Sequence, residues 1–240
     1  MDKFNYIEIN GETCITLNKD YKKEISQKKY KYFLERSGIP NFYWNIEFDD
    51  YKGSRSIDSF NKAKYYAEHL QEEKFNHVHL YLWGDNSSQK SAVICNIGKS
   101  GVKQGLKVKF VLASNLIDKL MKVQGFTINE EIELYIKSLK ESDLLIIDDI
   151  FDTKKSLMWS NPSSSPLIIT AWDSFLRDVF SSKTKVLMTS NIHPEDIKEK
   201  FGESLFHLID RNCVCLSFFD NIKEVKKRSF DNIFPKDKEE

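Results

Sequence analysis

The sequence predicts an α/β fold: a mostly parallel sheet of about five strands with helices over both faces. Two observations carry that expectation. Short β-rich runs, "HVHLYLW" (77–83), "KVKFVL" (107–112), "DLLIID" (143–148), "KVLMTS" (185–190) and "CVCLSF" (213–218), alternate with helical candidates around 91–99, 115–122, 130–140, 172–180 and 194–209. The first run also leads into "WGDNSSQKS", close to the G-x-x-x-x-G-K-[ST] pattern of a phosphate-binding loop, which requires a strand before it and a helix after it.

Composition narrows the functional classes. The 240 residues are 40% hydrophobic and 30% charged, enough for one main domain with short appendages. Lys+Arg and Asp+Glu both number 36, so a nucleic-acid contact has to come from a local patch. There is no membrane-length apolar run, and "MDKFNYIEINGE" carries neither a basic nor an apolar leader region, so no membrane partner and a cytoplasmic location are expected. Four scattered cysteines fit reduced thiols. His207, Cys213 and Cys215 lack the paired spacing of zinc ligands, and "CVCLSF" reads as a strand.

Along the chain, "KDYKKEISQKKYKYFLER" (19–36) holds seven Lys/Arg against three Asp/Glu, with Ile25, Tyr32 and Phe33 at roughly helical spacing. Gly38 and Pro40 follow as a stop, so residues 1–40 read as a short basic helical arm. It is either a solvated helix packed on the domain or a contact arm. In "SRSIDSFNKAKYYAEHL", Ile57, Phe60, Ala63, Ala67 and Leu70 share one helix face, with Ser56 as a possible cap. The core is expected over 41–222, with a turn-rich loop at "SNPSSSP" (160–166) and a charged tail at 223–240. The aromatics of "NFYWNIEF" are expected to serve core and arm packing rather than base stacking.

Three segments carry chemistry. In the loop, Gly84, Asp85, Asn86, Ser87, Ser88, Gln89, Lys90 and Ser91 are the nucleotide-binding candidates: backbone N–H groups cradle phosphate, the Lys90 ammonium reaches the outer phosphates and Ser91 ligates Mg²⁺. Gln89 stands where the pattern has its second glycine. Its side chain either strains the loop and fills part of the cradle, or donates its amide to a phosphate oxygen. "DLLIIDDI" ends an apolar strand in Asp148, a candidate for the Mg²⁺ shell, and Asp149, a candidate to orient or deprotonate attacking water. "KVLMTSN" brings Asn191 to the end of another strand, where α/β sheets bind ligands.

In the order "LYLWGDNSSQKS", "GLKVKFVLASNLIDKL", "DLLIIDDI", "KVLMTSNIHPEDIKEKFGESL", the chain resembles the AAA+ helicase loaders of the DnaC/DnaI type and the related IstB-type transposition helper ATPases. "ERSGIPNFYWNIEFDDYKG" (35–53) is similar to the entry segment of the loaders, and the likeness spans roughly residues 35–220. Phage- or mobile-element-encoded replication proteins look similar. The resemblance implies a three-layer RecA-like AAA+ core without a separate lid domain, with ATP and Mg²⁺ at a subunit interface. It further implies ring or helical self-association on single-stranded DNA beside a replicative helicase. Lys90, Ser91, Asp148, Asp149 and Asn191 match the family's functional positions, and Lys119 and Lys122 fall where loaders touch single-stranded DNA.

Gln89 is one departure from the pattern. The other follows "FGE", where loaders carry an arginine and then a second one that serves the neighbouring subunit as a finger; here Ser204 and Leu208 stand at those places, with Arg211 and Arg177 as possible substitutes. The expected function is a loader with weak or absent hydrolysis. A transposition helper acting on duplex DNA and a nucleotide-free loader mimic are the alternatives.

Overall fold

The structure is a computed structural model, described here for residues 3–9, 12–124, 129–151 and 165–219. Its centre is a sheet of five parallel strands, β3 (His79–Gly84), β4 (Val108–Leu112), β5 (Leu144–Asp148), β6 (Lys185–Ser190) and β7 (Cys213–Phe218), in the spatial order β4-β5-β6-β3-β7. All five runs expected from the sequence are strands, each within two residues of the expected bounds.

Alternation along the strands explains the layering. On β5, Leu145 and Ile147 belong to one buried apolar cluster while Leu144 and Ile146 belong to the other. Val186 and Met188 oppose Leu187 on β6 in the same way, and Tyr81 opposes Leu80 and Leu82 on β3. Side chains of period two face opposite sides, so a strand apolar on both needs a cover on each. One cover comprises α1 (Lys19–Ser37), α2 (Ile57–Glu68) and α3 (Lys90–Lys103). The other comprises α4 (Ala113–Gln124), α5 (Glu130–Lys140), α6 (Ser165–Phe180), α7 (Asp196–Phe201) and α8 (Glu203–Asn212).

Several expectations need correction. The arm is not helix alone: β1 (Phe4–Ile9) and β2 (Glu12–Leu17) pair antiparallel ahead of α1. Within α1, which Gly38 ends in the left-handed conformation, only Leu34 and Ser37 are buried, and Ile25, Tyr32 and Phe33 face solvent. Ile57 is likewise exposed, because it opens α2 before the helix reaches the core. Ser56 does not cap α2 with its side chain; its hydroxyl instead accepts the Phe219 N–H at 2.9 Å. The helix expected over 172–180 begins at Ser165, with Pro166 in its first turn, where proline costs no helical hydrogen bond. Residues 160–164 of the expected loop, and the tail at 223–240, lie outside the described residues.

Candidate functional site: a phosphate loop at the sheet edge

β3 delivers the loop and α3 leaves it, the context the motif requires. Gly84 has φ 140°, and a Cβ there would meet the Phe218 carbonyl oxygen at 1.9 Å, so only glycine lets β3 turn into the loop against β7. Ser87 and Gln89 take φ of 65° and 64°. Left-handed residues alternating with others turn successive N–H groups inward into an anion-binding concavity, and the first N–H groups of α3 have no acceptor within the helix.

Gln89 therefore adopts the glycine-like backbone that its position demands and accepts the strain, about 1 kcal/mol for a non-glycine residue. Its side-chain oxygen accepts the Lys52 N–H at 3.4 Å, which ties the loop to residue 52. The cradle is held by Lys90 itself. The Lys90 ammonium donates to the carbonyls of Gly84 at 3.0 Å and Asp85 at 2.7 Å, to the Ser88 hydroxyl at 3.2 Å, and to Asn191 Oδ1 at 3.1 Å. Burial brings its pKa down to about 8, opposed by the carboxylates of Asp149, Asp148 and Asp85.

The two acidic candidates differ in setting. Asp148 is buried, and its Oδ1 accepts the hydroxyls of Ser91 at 2.8 Å and Thr189 at 2.5 Å. Asp149, at φ 58°, donates its N–H to Thr189 Oγ1 at 2.9 Å and reaches the open pocket. Thr189 thus links both carboxylate residues. Sequence reasoning missed it; its position directly before Ser190 and Asn191 was the available signal.

A cavity of about 460 Å³ opens on this edge. Residues Asn86 to Ser91, with Asp149 and Asn191, form its polar side, and Phe42, Tyr43 and Ile46 form an apolar side. The "NFYW" aromatics were expected only to pack; Tyr43 and Trp44 do pack on the core, but Phe42 and Tyr43 also line the pocket, their rings 3.9 Å apart. Burial, with the Asp148 carboxylate behind it, holds the Tyr43 phenol well above its usual range, against a hydrogen bond with Ser91. The site fits a nucleotide with its metal. A hydroxyl and a carboxylate oxygen 2.8 Å apart are hard ligands of the kind Mg²⁺ takes, and a concave loop beside an apolar wall suits a phosphate chain ending in a base.

Lys119 and Lys122 lie elsewhere, along α4, where both line a separate groove of about 550 Å³ with Tyr135 of α5. The Lys119 ammonium sits 4.9 Å from the Tyr135 ring centroid. Of the finger positions, Leu208 is buried in the core. Ser204 donates to Asp173 Oδ1 at 2.5 Å and accepts from Arg177, whose Nε donates to Asp173 Oδ2 at 2.7 Å. Arg211 is exposed at the end of α8. His207, Cys213 and Cys215 do not form a metal cluster, and among the described residues no group of three or more His, Cys, Asp or Glu stands at metal-holding distance. Nor is any described helix long and apolar enough to cross a membrane.

No protein-family model matches the sequence. It is 27% identical over 214 residues to the replicative helicase loader DnaC of Buchnera aphidicola from Acyrthosiphon pisum, covering 85% of this chain and 80% of that protein. Against the DnaC of the Schizaphis graminum strain the identity is 28% over 193 residues, covering 79% of this chain and 72% of that protein. Among solved structures, a DnaC helicase loader aligns with TM-score 0.54 at 17% identity, over 75% of this chain and 99% of that one. AMPPCP-bound DnaA from Aquifex aeolicus gives 0.56 at 14% identity, over 75% of this chain; the chain spans about half (51%) of that protein's length. DnaA bound to AMPPCP and single-stranded DNA gives 0.58 at 14% identity, over 82% of this chain and 60% of that one. The chain is thus similar in sequence to replicative helicase loaders named DnaC, and its five-stranded parallel sheet shares the fold of a solved DnaC helicase loader.

Proposed function

We propose that the protein is a replicative helicase loader that binds ATP with Mg²⁺ and single-stranded DNA and hydrolyses ATP slowly. The observation that carries this reading is the meeting of Lys90, Ser91, Asp148 and Asn191, from three separate segments, at one edge of the sheet. The Lys90 ammonium would exchange its loop carbonyls for phosphate oxygens, and Asn191 would orient it. Ser91 and Asp148 would hold Mg²⁺, which when bound supplies charge neutralisation on the outer phosphates. Asp149, which lines the pocket, would orient or deprotonate the attacking water.

Slow hydrolysis follows from the interface positions. Ser204 and Leu208 stand at the finger positions and Arg177 is engaged by Asp173 and Ser204, which leaves the exposed Arg211, away from those positions, as the remaining substitute for an arginine that supplies orders of magnitude in rate. Single-stranded DNA is assigned to the groove of Lys119, Lys122 and Tyr135, which offers two cations to its phosphates, Lys119 resting over the Tyr135 ring. The arm, residues 1–40, is assigned to the helicase, supported by the solvent-facing Ile25, Tyr32 and Phe33 of α1. The core over 41–222 then holds nucleotide and DNA, and ring or helical self-association belongs to the same reading.

Co-purification with the replicative helicase of the same genome, and ATP-dependent transfer of that helicase onto protein-coated single strands, test the proposal. Stimulated loading supports it. A protein that neither associates with the helicase nor alters its loading does not fit a loader.

A further inference from the structure

Lys99 has no place in phosphate chemistry, yet it is among the most buried side chains of the protein, 1% exposed. It lies nine residues beyond Lys90 on α3, about 13 Å along the helix. Its ammonium donates to the carbonyls of Trp44, at 3.2 Å, and Ile46, and pairs with Glu47 Oε1 at 3.5 Å. Those acceptors all belong to the segment that carries the apolar wall of the pocket.

The rest of that segment's anchoring is the packing of Tyr43 and Trp44 on the core, the Tyr43 hydrogen bond with Ser91, and short local bonds. Tyr43 N–H donates to Pro40, Trp44 N–H to Asn41 and Ile46 N–H to Tyr43, while the Trp44 indole donates to the Ile39 carbonyl. Gly98 explains the close approach: a Cβ there would meet Ile39 Cδ1 at 2.9 Å and Ile146 Cδ1 at 2.5 Å. One helix thus carries the phosphate lysine at its first residue and the anchor of the opposite wall further along.

Resting on the nucleotide reading above, we propose that Lys99 is a positioning residue that sets the spacing between the phosphate loop and the Phe42/Tyr43/Ile46 wall, and so governs affinity for the nucleobase rather than for the phosphates. A buried cation with three acceptors in one segment holds that segment in one place. Replacing it with an apolar side chain of similar length leaves two carbonyls without their donor and loosens the wall from its set position, while the loop, capped by its own Lys90, keeps its shape.

The experiment compares ATP with inorganic tripolyphosphate, both with Mg²⁺, by calorimetric titration of wild-type, Lys99→Met and Phe42→Ala proteins, with thermal melts as a check of folding. Lys99→Met is expected to weaken ATP about tenfold or more and to leave tripolyphosphate within about twofold, a split that a general loss of structure does not produce. Phe42→Ala, at an exposed position, is expected to give the same split. Equal weakening of both ligands, or of neither, in Lys99→Met overturns the role of Lys99. An unchanged ATP-to-tripolyphosphate ratio in Phe42→Ala overturns it even where Lys99→Met does not fold. A wild-type protein that binds neither ligand overturns the nucleotide reading itself.

Discussion

The hydroxyl of Ser91 donates to Oδ1 of Asp148 at 2.8 Å across 57 residues of sequence, joining the start of α3 to the end of β5. Both groups are oxygen donors, and the carboxylate is already oriented by Thr189. Asp148→Asn keeps the shape and the hydrogen-bonding oxygen but removes the charge. Nucleotide affinity measured with Mg²⁺ and with EDTA is expected to differ strongly in the wild type. In the variant, metal affinity should fall by at least about 10- to 100-fold, the range for losing even a group that only supports a metal ligand.

Lys90 makes binding depend on pH. Its pKa in the folded protein is lowered to about 8 by burial, and phosphates beside it favour the charged form, so binding raises it again. Below about pH 8 the ammonium is present in both states and affinity is flat. As pH rises above 8 the free protein loses that proton and binding must recover it, so affinity falls by at most tenfold per pH unit. Titrations between pH 7 and 9.5 should show the fall in the wild type, and Lys90→Met should bind weakly without it.

Gln89 sits at φ 64°, its side-chain oxygen accepting the Lys52 N–H at 3.4 Å. Gln89→Gly removes left-handed strain of about 1 kcal/mol and returns part of it as extra freedom in the unfolded chain. Urea unfolding should show the variant equal to or up to about 1 kcal/mol more stable than the wild type, with nucleotide binding retained.

Lys119 and Lys122 share the Tyr135 groove. If each contacts one phosphate of a single strand, the double alanine variant flattens the plot of log affinity against log salt by about 1.4. Unchanged salt dependence would move the DNA site elsewhere.

The parallel sheet was legible because its strands are short apolar runs ending in polar residues at one edge; the candidates Asp148 and Asn191 were read from two such ends, and Lys90 and Ser91 from the phosphate-loop pattern after a third. What sequence reading missed depends on contacts remote in the chain. Lys99 looks like any helical lysine until the fold brings Trp44 and Ile46 over it. Phe42 and Tyr43 read as packing residues because their facing partner, the loop at 86–91, lies more than forty residues away. The N-terminal hairpin did leave a local signal, the Asn10-Gly11 dipeptide between "FNYIEI" and "ETCITL", outweighed by the strong basic helix that follows.

The loop is proposed to grip a nucleotide despite Gln89. A fluorescent ATP analogue titrated with Mg²⁺ into wild-type and Lys90→Ala proteins, both shown to be folded, tests it most directly. Saturable binding in the wild type that Lys90→Ala largely removes, with phosphate release remaining slow, is the expected result. Equal binding in both proteins, or none in either, would contradict it.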